Sequence, residues 1–190
     1  MHYPNGTKVS KMKDVCYGNR GMTLENDLNE TNKYYLINDI AIVHKKPTPV
    51  SFQNIDYSNK HDVVIKEARF VTPSTTDYNG IYKGKYIDFE AKETKSNTSF
   101  PISNIHTHQL NHLFSIIKHG GIAFIIVRFI NLNETYYLGA QELKDFLSNN
   151  DRKSIPYSYF CKYGHLIVDK YNPRVDYISI IDMLLTKEVL

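Results

Sequence analysis

One stretch of the chain alternates as only a half-buried strand does. In Tyr86-Ile87-Asp88-Phe89-Glu90-Ala91-Lys92, extended backbone puts Tyr86, Asp88, Glu90 and Lys92 on one side and Ile87, Phe89 and Ala91 on the other. One face can bury in a core while the other carries two carboxylates and a lysine. Upstream, Thr75 to Gly80 reads as a second short strand, and Lys83-Gly84 joins the two as a hairpin. If the hairpin pairs, Asp77 sits across from the polar face.

The resulting spacing, Asp-x12-Glu-x-Lys, has a chemical rationale. Mg²⁺ takes oxygen ligands, usually one or two carboxylates completed by waters and substrate phosphate. Asp77 and Glu90 can supply the carboxylates, and a backbone carbonyl between Glu90 and Lys92 can supply a third oxygen. Lys92 returns to the same face, where it can orient or deprotonate an attacking water. Its point charge also suits charge building on a scissile phosphate. A solvated strand face with alternating charge gives the same letters, and the motif alone is common by chance. The apolar Ile87, Phe89 and Ala91 favour the half-buried strand, and the flanking text from Pro73 and through Lys95 is not generic.

That flanking text is part of a longer match. Asn19-Arg20-Gly21-Met22 with Glu25, His44 to Val50, Pro73 to Gly80 and Asp88 to Thr94 follow in order. Ser99-Phe100-Pro101, Asn104-Ile105-His106, His108-Gln109 and Pro173 to Tyr177 complete it. In these segments the chain resembles, over nearly its whole length, the RecU family of Holliday-junction resolvases within the PD-(D/E)xK nuclease superfamily.

The resemblance implies an α/β fold of the restriction-endonuclease-like kind, a mixed central sheet flanked by helices with a projecting β-hairpin stalk. It implies an Mg²⁺-dependent endodeoxyribonuclease, with Mn²⁺ able to substitute, that resolves four-way DNA junctions by paired symmetric nicks in recombination and repair. In that pattern Asp77, Glu90 and Gln109 hold metal, Lys92 serves the phosphate and the water, and Glu25 supports from the first helix. DNA contacts fall on Arg20, Lys45, Lys46 and Thr75, and on Lys60, Lys66, Arg69 and Phe70 of the stalk. Paired nicks call for two copies of one site, which a twofold homodimer presents. The resemblance also implies cooperation with the strand-exchange recombinase and a branch-migration complex. Two other readings share the scaffold: a duplex-cutting nuclease, against which the stalk argues, and a non-catalytic junction-binding module, against which Asp77, Glu90 and Lys92 argue.

Composition is compatible with this and weakly informative. The 190 residues fit one nuclease domain, 19–190, behind a flexible basic arm, 1–18, and the net charge is +3. The arm holds Lys8, Lys11 and Lys13 against Asp14 and leads into Arg20. An AT-rich genome accounts equally well for the many Asn, Lys, Ile and Tyr residues. Cys16 and Cys161 are too few and too distant for a disulfide framework, and no apolar run is long enough to span a bilayer. With a start unlike a signal peptide, this points to a cytoplasmic protein and no membrane partner.

Along the chain, periodicity predicts a helix from Gly21 to about Ile37 and a strand over Asp39–His44. A hairpin of Val50–Ile55 and Val63–Val71 follows. Ser96 to Pro101 reads as a polar loop, and Ser103 or Asn104 caps a helix to about Lys118, ended by Gly120-Gly121. On that helix Gln109 lies near the apolar stripe, where bonding to backbone is the plainer alternative. His108 and His112 have zinc-compatible spacing, but no Cys or carboxylate nearby completes such a site. Ile122–Val127 reads as a central strand buried on both faces. Thr135–Leu138 is a strand, Ala140 to about Leu147 a helix, 150–173 a turn-rich, tyrosine-rich region, and Val175 to about Leu185 a last helix.

Overall fold

The computed structural model describes residues 23–56, 64–71 and 75–187. Its organising unit is the expected hairpin, β4 (Tyr78–Tyr82) and β5 (Lys85–Thr94), paired antiparallel. Lys83 (φ 46°) and Gly84 (φ 75°) both take the left-handed region, as a two-residue turn matched to strand twist requires. Gly80 lets β1 (Ile42–Lys45) close against β4. A Cβ there would lie 2.1 Å from the Ile42 carbonyl oxygen.

Four more strands complete a six-stranded sheet in the order β1-β4-β5-β7-β8-β10. They are β7 (Ile122–Phe129), β8 (Glu134–Gly139), β10 (His165–Ile167) and the edge strand β1. β5 and β7 run parallel and the other neighbours antiparallel, so the sheet is mixed. The parallel step needs a crossover, and α2 (Thr107–Lys118) supplies it.

Helices cover both faces. α1 (Leu24–Ile37) and α5 (Tyr177–Lys187) pack with Ile87, Phe89, Phe124 and Ile126 in one core. On the other face Leu113 of α2, Leu143 and Phe146 of α3 (Ala140–Asn149) and Phe160 of α4 (Tyr157–Tyr163) pack on Ala123, Ile125 and Val127. The α1 side carries an aromatic ladder across the strands. Tyr78 stacks on Phe89 at 4.8 Å, Phe89 on Phe124 at 4.7 Å, and Phe124 on Tyr137 at 4.4 Å. Each fully buried ring contributes about 2–3 kcal/mol of transfer free energy, and together they fix the strand register behind the polar face.

β2 (Val50–Asp56) and β3 (Val64–Phe70) form a separate antiparallel two-stranded sheet, from Val50 opposite Phe70 to Asp56 opposite Val64. The segment joining them, with Lys60, lies outside the described residues, as do the basic arm and Arg20.

Several boundaries differ from the sequence expectation. β1 starts at Ile42 because Asp39 occupies a left-handed turn, φ 54°. α2 starts at Thr107, not after Ser103 or Asn104. A 3₁₀ turn spans Ile102–Asn104, and His106 and Gln109 form a reciprocal capping box. The expected polar loop includes β6 (Ser99–Pro101), which pairs with β9 (Ser154–Pro156) and buries Phe100 and Ile155. The turn-rich region therefore contains β9, α4 and β10. No helix among the described residues is long and apolar enough to cross a membrane.

Candidate active site

The hairpin register builds the site. Tyr78 pairs with Phe89, so Asp77, one residue before the ladder, falls beside Glu90. Asp77 Oδ2 accepts the Ala91 N–H at 3.2 Å, which aims its carboxylate along β5. Glu90 is fully buried, next to Ile125 in the β5–β7 register. Lys92 Nζ forms an ion pair with Glu90 Oε1, and apart from this neither Glu90 oxygen has a hydrogen-bond partner among the described residues. Burial pushes the Glu90 carboxyl up to about 7, the Asp77 carboxylate pushes the same way, and Lys92 opposes them.

Two facing carboxylates with a single lysine and unsatisfied buried oxygens fit a hard divalent cation. Among the described residues, no group of three or more His, Cys, Asp or Glu side chains gathers to hold a metal ion. The protein ligands available here are thus the carboxylate pair. That is a sufficient set for Mg²⁺, which keeps several waters and shares substrate phosphate. The pair lacks the enclosing nitrogen and sulfur donors of a structural zinc site.

The N-terminal end of α1 forms the wall of a cleft of about 250 Å³ shared with Asp77, Tyr78, Lys92 and Glu93. Thr23 caps the helix, its hydroxyl accepting the Asn26 N–H at 3.3 Å. The Leu24 N–H donates to Glu93 Oε1 at 2.8 Å, tying the helix start to β5. A carboxylate there also complements the helix dipole. Glu25 and Lys45 stand on the exposed rim of the cleft, paired at 2.5 Å. The Tyr78 hydroxyl donates to Asn29 Oδ1 at 3.1 Å, and burial raises its pKa.

The structure thus brings Asp77, Glu90, Lys92, Glu25 and Lys45 to one place. Gln109, expected as a metal ligand, lies at the start of α2. Its Oε1 accepts the His106 N–H at 2.9 Å within the helix cap. Lys46, expected among the DNA contacts, is paired inside the protein. Its ammonium turns inward, 2.6 Å from Asp88 Oδ2 and 2.9 Å from Thr76 Oγ1. His112 Nε2 lies 3.2 Å from Asp88 Oδ2, while His106 and His108 stack at 5.4 Å. Thr75 sits half-buried just ahead of Asp77, and Arg69 is exposed on β3. Lys66 and Phe70 belong to β3, with side chains outside the described set.

Sequence reasoning missed Asp88, Thr76 and Glu93. Alternation already put Asp88 on the face of Glu90, which was the available signal. Tyr86 is two residues away on β5, but its other partners, Lys46 just after β1, Thr76 ahead of β4 and His112 on α2, are not revealed by spacing.

A helix-covered mixed sheet with a carboxylate pair and a lysine at a strand end defines a mixed α/β protein with a candidate cation-binding, phosphate-directed centre. The model of the family described as Recombination protein U, RecU, matches residues 19–183, and the chain belongs to this family. Its relatives include the Holliday junction resolvase RecU of Bacillus cytotoxicus, 51% identical over 97% of this chain and 98% of that one. The Holliday junction resolvase RecU of a Geobacillus species is 56% identical over 87% of this chain and 84% of that one. Among solved structures, the Holliday junction resolvase Hjc of Archaeoglobus fulgidus aligns with a TM-score of 0.40 at 10% identity. It covers 71% of this chain and 92% of that one, a likeness too loose to bear on the site.

Proposed function

We propose that the chain is a divalent-metal-dependent endonuclease that resolves four-way DNA junctions by paired nicks, with Mg²⁺ as the working cation and Mn²⁺ as a substitute. The observation that carries this is the meeting of Asp77 and Glu90 at the end of the β4–β5 ladder, with Lys92 paired to a Glu90 that is otherwise unsatisfied. The relatives named Holliday junction resolvase, matched over almost their full length, support the choice of substrate. A restriction-endonuclease-like core, in which such a centre sits on a hairpin beside a helix, is the corresponding fold.

Asp77 and Glu90 would hold a divalent cation, which when bound would supply Lewis-acid charge to the phosphate and ease deprotonation of the attacking water. The chain's residues do the rest. Asp77, steadied by the Ala91 N–H, and Glu90 provide the ligands. Lys92, a quarter exposed, reaches from a dry wall toward the cleft. There its ammonium orients the attacking water and offsets charge developing on the phosphate. On the rim, Lys45 meets the DNA backbone, and Glu25, paired with it, supports the metal or the attacking water.

Junction choice belongs to the β2–β3 sheet, a two-stranded element of its own that leaves after Lys46-Pro47 and returns before Asp77. Its place next to the site suits a stalk that enters the open centre of a junction. Two coordinated nicks require two copies of the site, hence a homodimer. The test is nicking of a synthetic four-way junction against a linear duplex, with and without Mg²⁺. Junction-selective, metal-dependent, symmetric nicks are expected, and equal cutting of duplex would favour a general nuclease.

A further inference from the structure

We infer that Asp88, Lys46 and Thr76 are positioning residues, a buried strut that holds Asp77 at its working distance from Glu90. The inference rests on the metal-dependent reading above.

Asp88 and Glu90 lie two residues apart on the same face of β5, and both are fully buried. Their surroundings are opposite. Asp88 is surrounded by donors. Oδ2 takes the Lys46 ammonium at 2.6 Å and the Tyr86 hydroxyl at 2.9 Å, with His112 Nε2 at 3.2 Å. Oδ1 accepts the Thr76 hydroxyl. Glu90 has the Lys92 ion pair and the facing Asp77 carboxylate, and its oxygens have no hydrogen-bond donor besides Lys92 among the described residues. A carboxylate so fully satisfied has little capacity left for a cation, whereas its neighbour is left open. One carboxylate of β5 is therefore built into the protein and the other kept for a ligand.

The strut acts on the segment that needs it. The β1–β4 and β4–β5 ladders both begin at Tyr78, so Thr76 and Asp77 lie beyond the last ladder pair. A metal-ligating residue there has no ladder partner, although its carboxylate accepts the Ala91 N–H of β5. Three further contacts grip the 76–77 segment. The Lys46 N–H donates to the Asp77 carbonyl at 2.8 Å. The Lys46 ammonium donates to Thr76 Oγ1 at 2.9 Å while binding Asp88. The Thr76 hydroxyl in turn donates to Asp88. Lys46 thereby pins residues 76–77 with its main chain and its side chain together. Partners of this kind, one bond removed from a ligand, set ligand geometry rather than touch the cation.

The test separates positioning from mere stability. Thr76→Val removes the hydroxyl and keeps the shape; Thr76→Ser keeps the hydroxyl. The double variant Lys46→Met/Asp88→Asn removes both charges together, which avoids leaving one buried and unpaired. Each is titrated with Mn²⁺ by calorimetry, unfolded thermally in EDTA, and assayed for junction binding in EDTA and for nicking in Mg²⁺.

Thr76→Val is expected to weaken Mn²⁺ binding and slow nicking by roughly 10-fold or more, the scale seen when a partner of a metal ligand is lost. Junction affinity should stay unchanged, and Thr76→Ser should restore both losses. The double variant should shift metal affinity in the same direction, and it carries the measurement if Thr76→Val does not fold. Wild-type metal affinity in the folded variants, or losses that follow only the unfolded fraction, would overturn the strut. A wild-type protein that binds no divalent cation would instead overturn the metal-dependent reading itself.

Discussion

The Tyr78 ring stacks on Phe89 at 4.8 Å with planes 7° apart, and the two residues are also backbone partners in the hairpin ladder. This contact, in the core under α1, aligns the strands whose opposite face carries Glu90 and Lys92. It places Asp77 beside Glu90, and a slip of one residue would turn every side chain of β5 over. Packing and the candidate site thus depend on one register.

Loss of that packing is costly. Phe89 is fully buried between Tyr78 and Phe124. Phe89→Ala is expected to lower stability by about 3–5 kcal/mol, the range for truncating a buried aromatic. Chemical denaturation measures this. A loss near 1 kcal/mol would mean that the ladder is not a principal support of the hairpin.

Lys92→Ala should lower nicking by on the order of 10²-fold or more, the scale of losing one positioned charge. Calorimetry should still show divalent-cation binding, because lysine is not a ligand. Chemistry at the wild-type rate with cation affinity lost would make Lys92 a structural partner of Glu90 instead.

The buried Glu90 gives a pH signature in the metal-free protein. Its carboxyl is raised from 4.5 in the unfolded chain to about 7 in the folded one, by burial first and Asp77 second. A raised carboxyl binds its proton more tightly when folded. Its contribution is therefore favourable below the unfolded value and is lost as pH rises from 4.5 through about 7. Glu90→Gln, which cannot ionise, should stabilise the protein in EDTA by about 2–3 kcal/mol above pH 7 and by much less below pH 5. Unfolding curves at both pH values decide it. A stability difference independent of pH would mean that Glu90 ionises normally.

Junction selectivity should reside in β2–β3. Replacing 53–66 with a short Gly-Ser turn should leave the central sheet untouched, since among the described residues β2 and β3 pair only with each other. Duplex binding, largely backbone electrostatics, should fall modestly, and junction binding and symmetric cleavage much further. Gel-shift and cleavage assays at matched salt measure the ratio. An unchanged preference for junctions would remove the hairpin from recognition.

Much of this architecture is legible locally. The alternation in β5, the Lys83-Gly84 turn, the continuous apolar run of β7 and the periodicity of α3 and α5 each encode their element within a few residues. The carboxylate pair follows once the hairpin register is set, so Asp77, Glu90 and Lys92 are readable together. The region 150–173 is less so. β9 has three residues and exists because Ile155 buries opposite Phe100, a partner far along the chain. The inward turn of Lys46 is invisible for the same reason, since Asp88 lies 42 residues away. Gln109 shows the reverse problem: its periodicity is correct, yet a local capping bond claims its oxygen.

The most direct test of the proposed chemistry is single-turnover nicking of a synthetic four-way junction by wild-type, Asp77→Asn and Glu90→Gln proteins in Mg²⁺, with junction affinity measured in EDTA. The wild type should make paired symmetric nicks. Both variants should fall by roughly 10³-fold or more, since each removes a ligand of the cation that activates the water and steadies the phosphate. Junction affinity should hold, because phosphate contacts elsewhere dominate it. Nicking near the wild-type rate in either variant would contradict the assignment of Asp77 and Glu90 as the metal-binding pair.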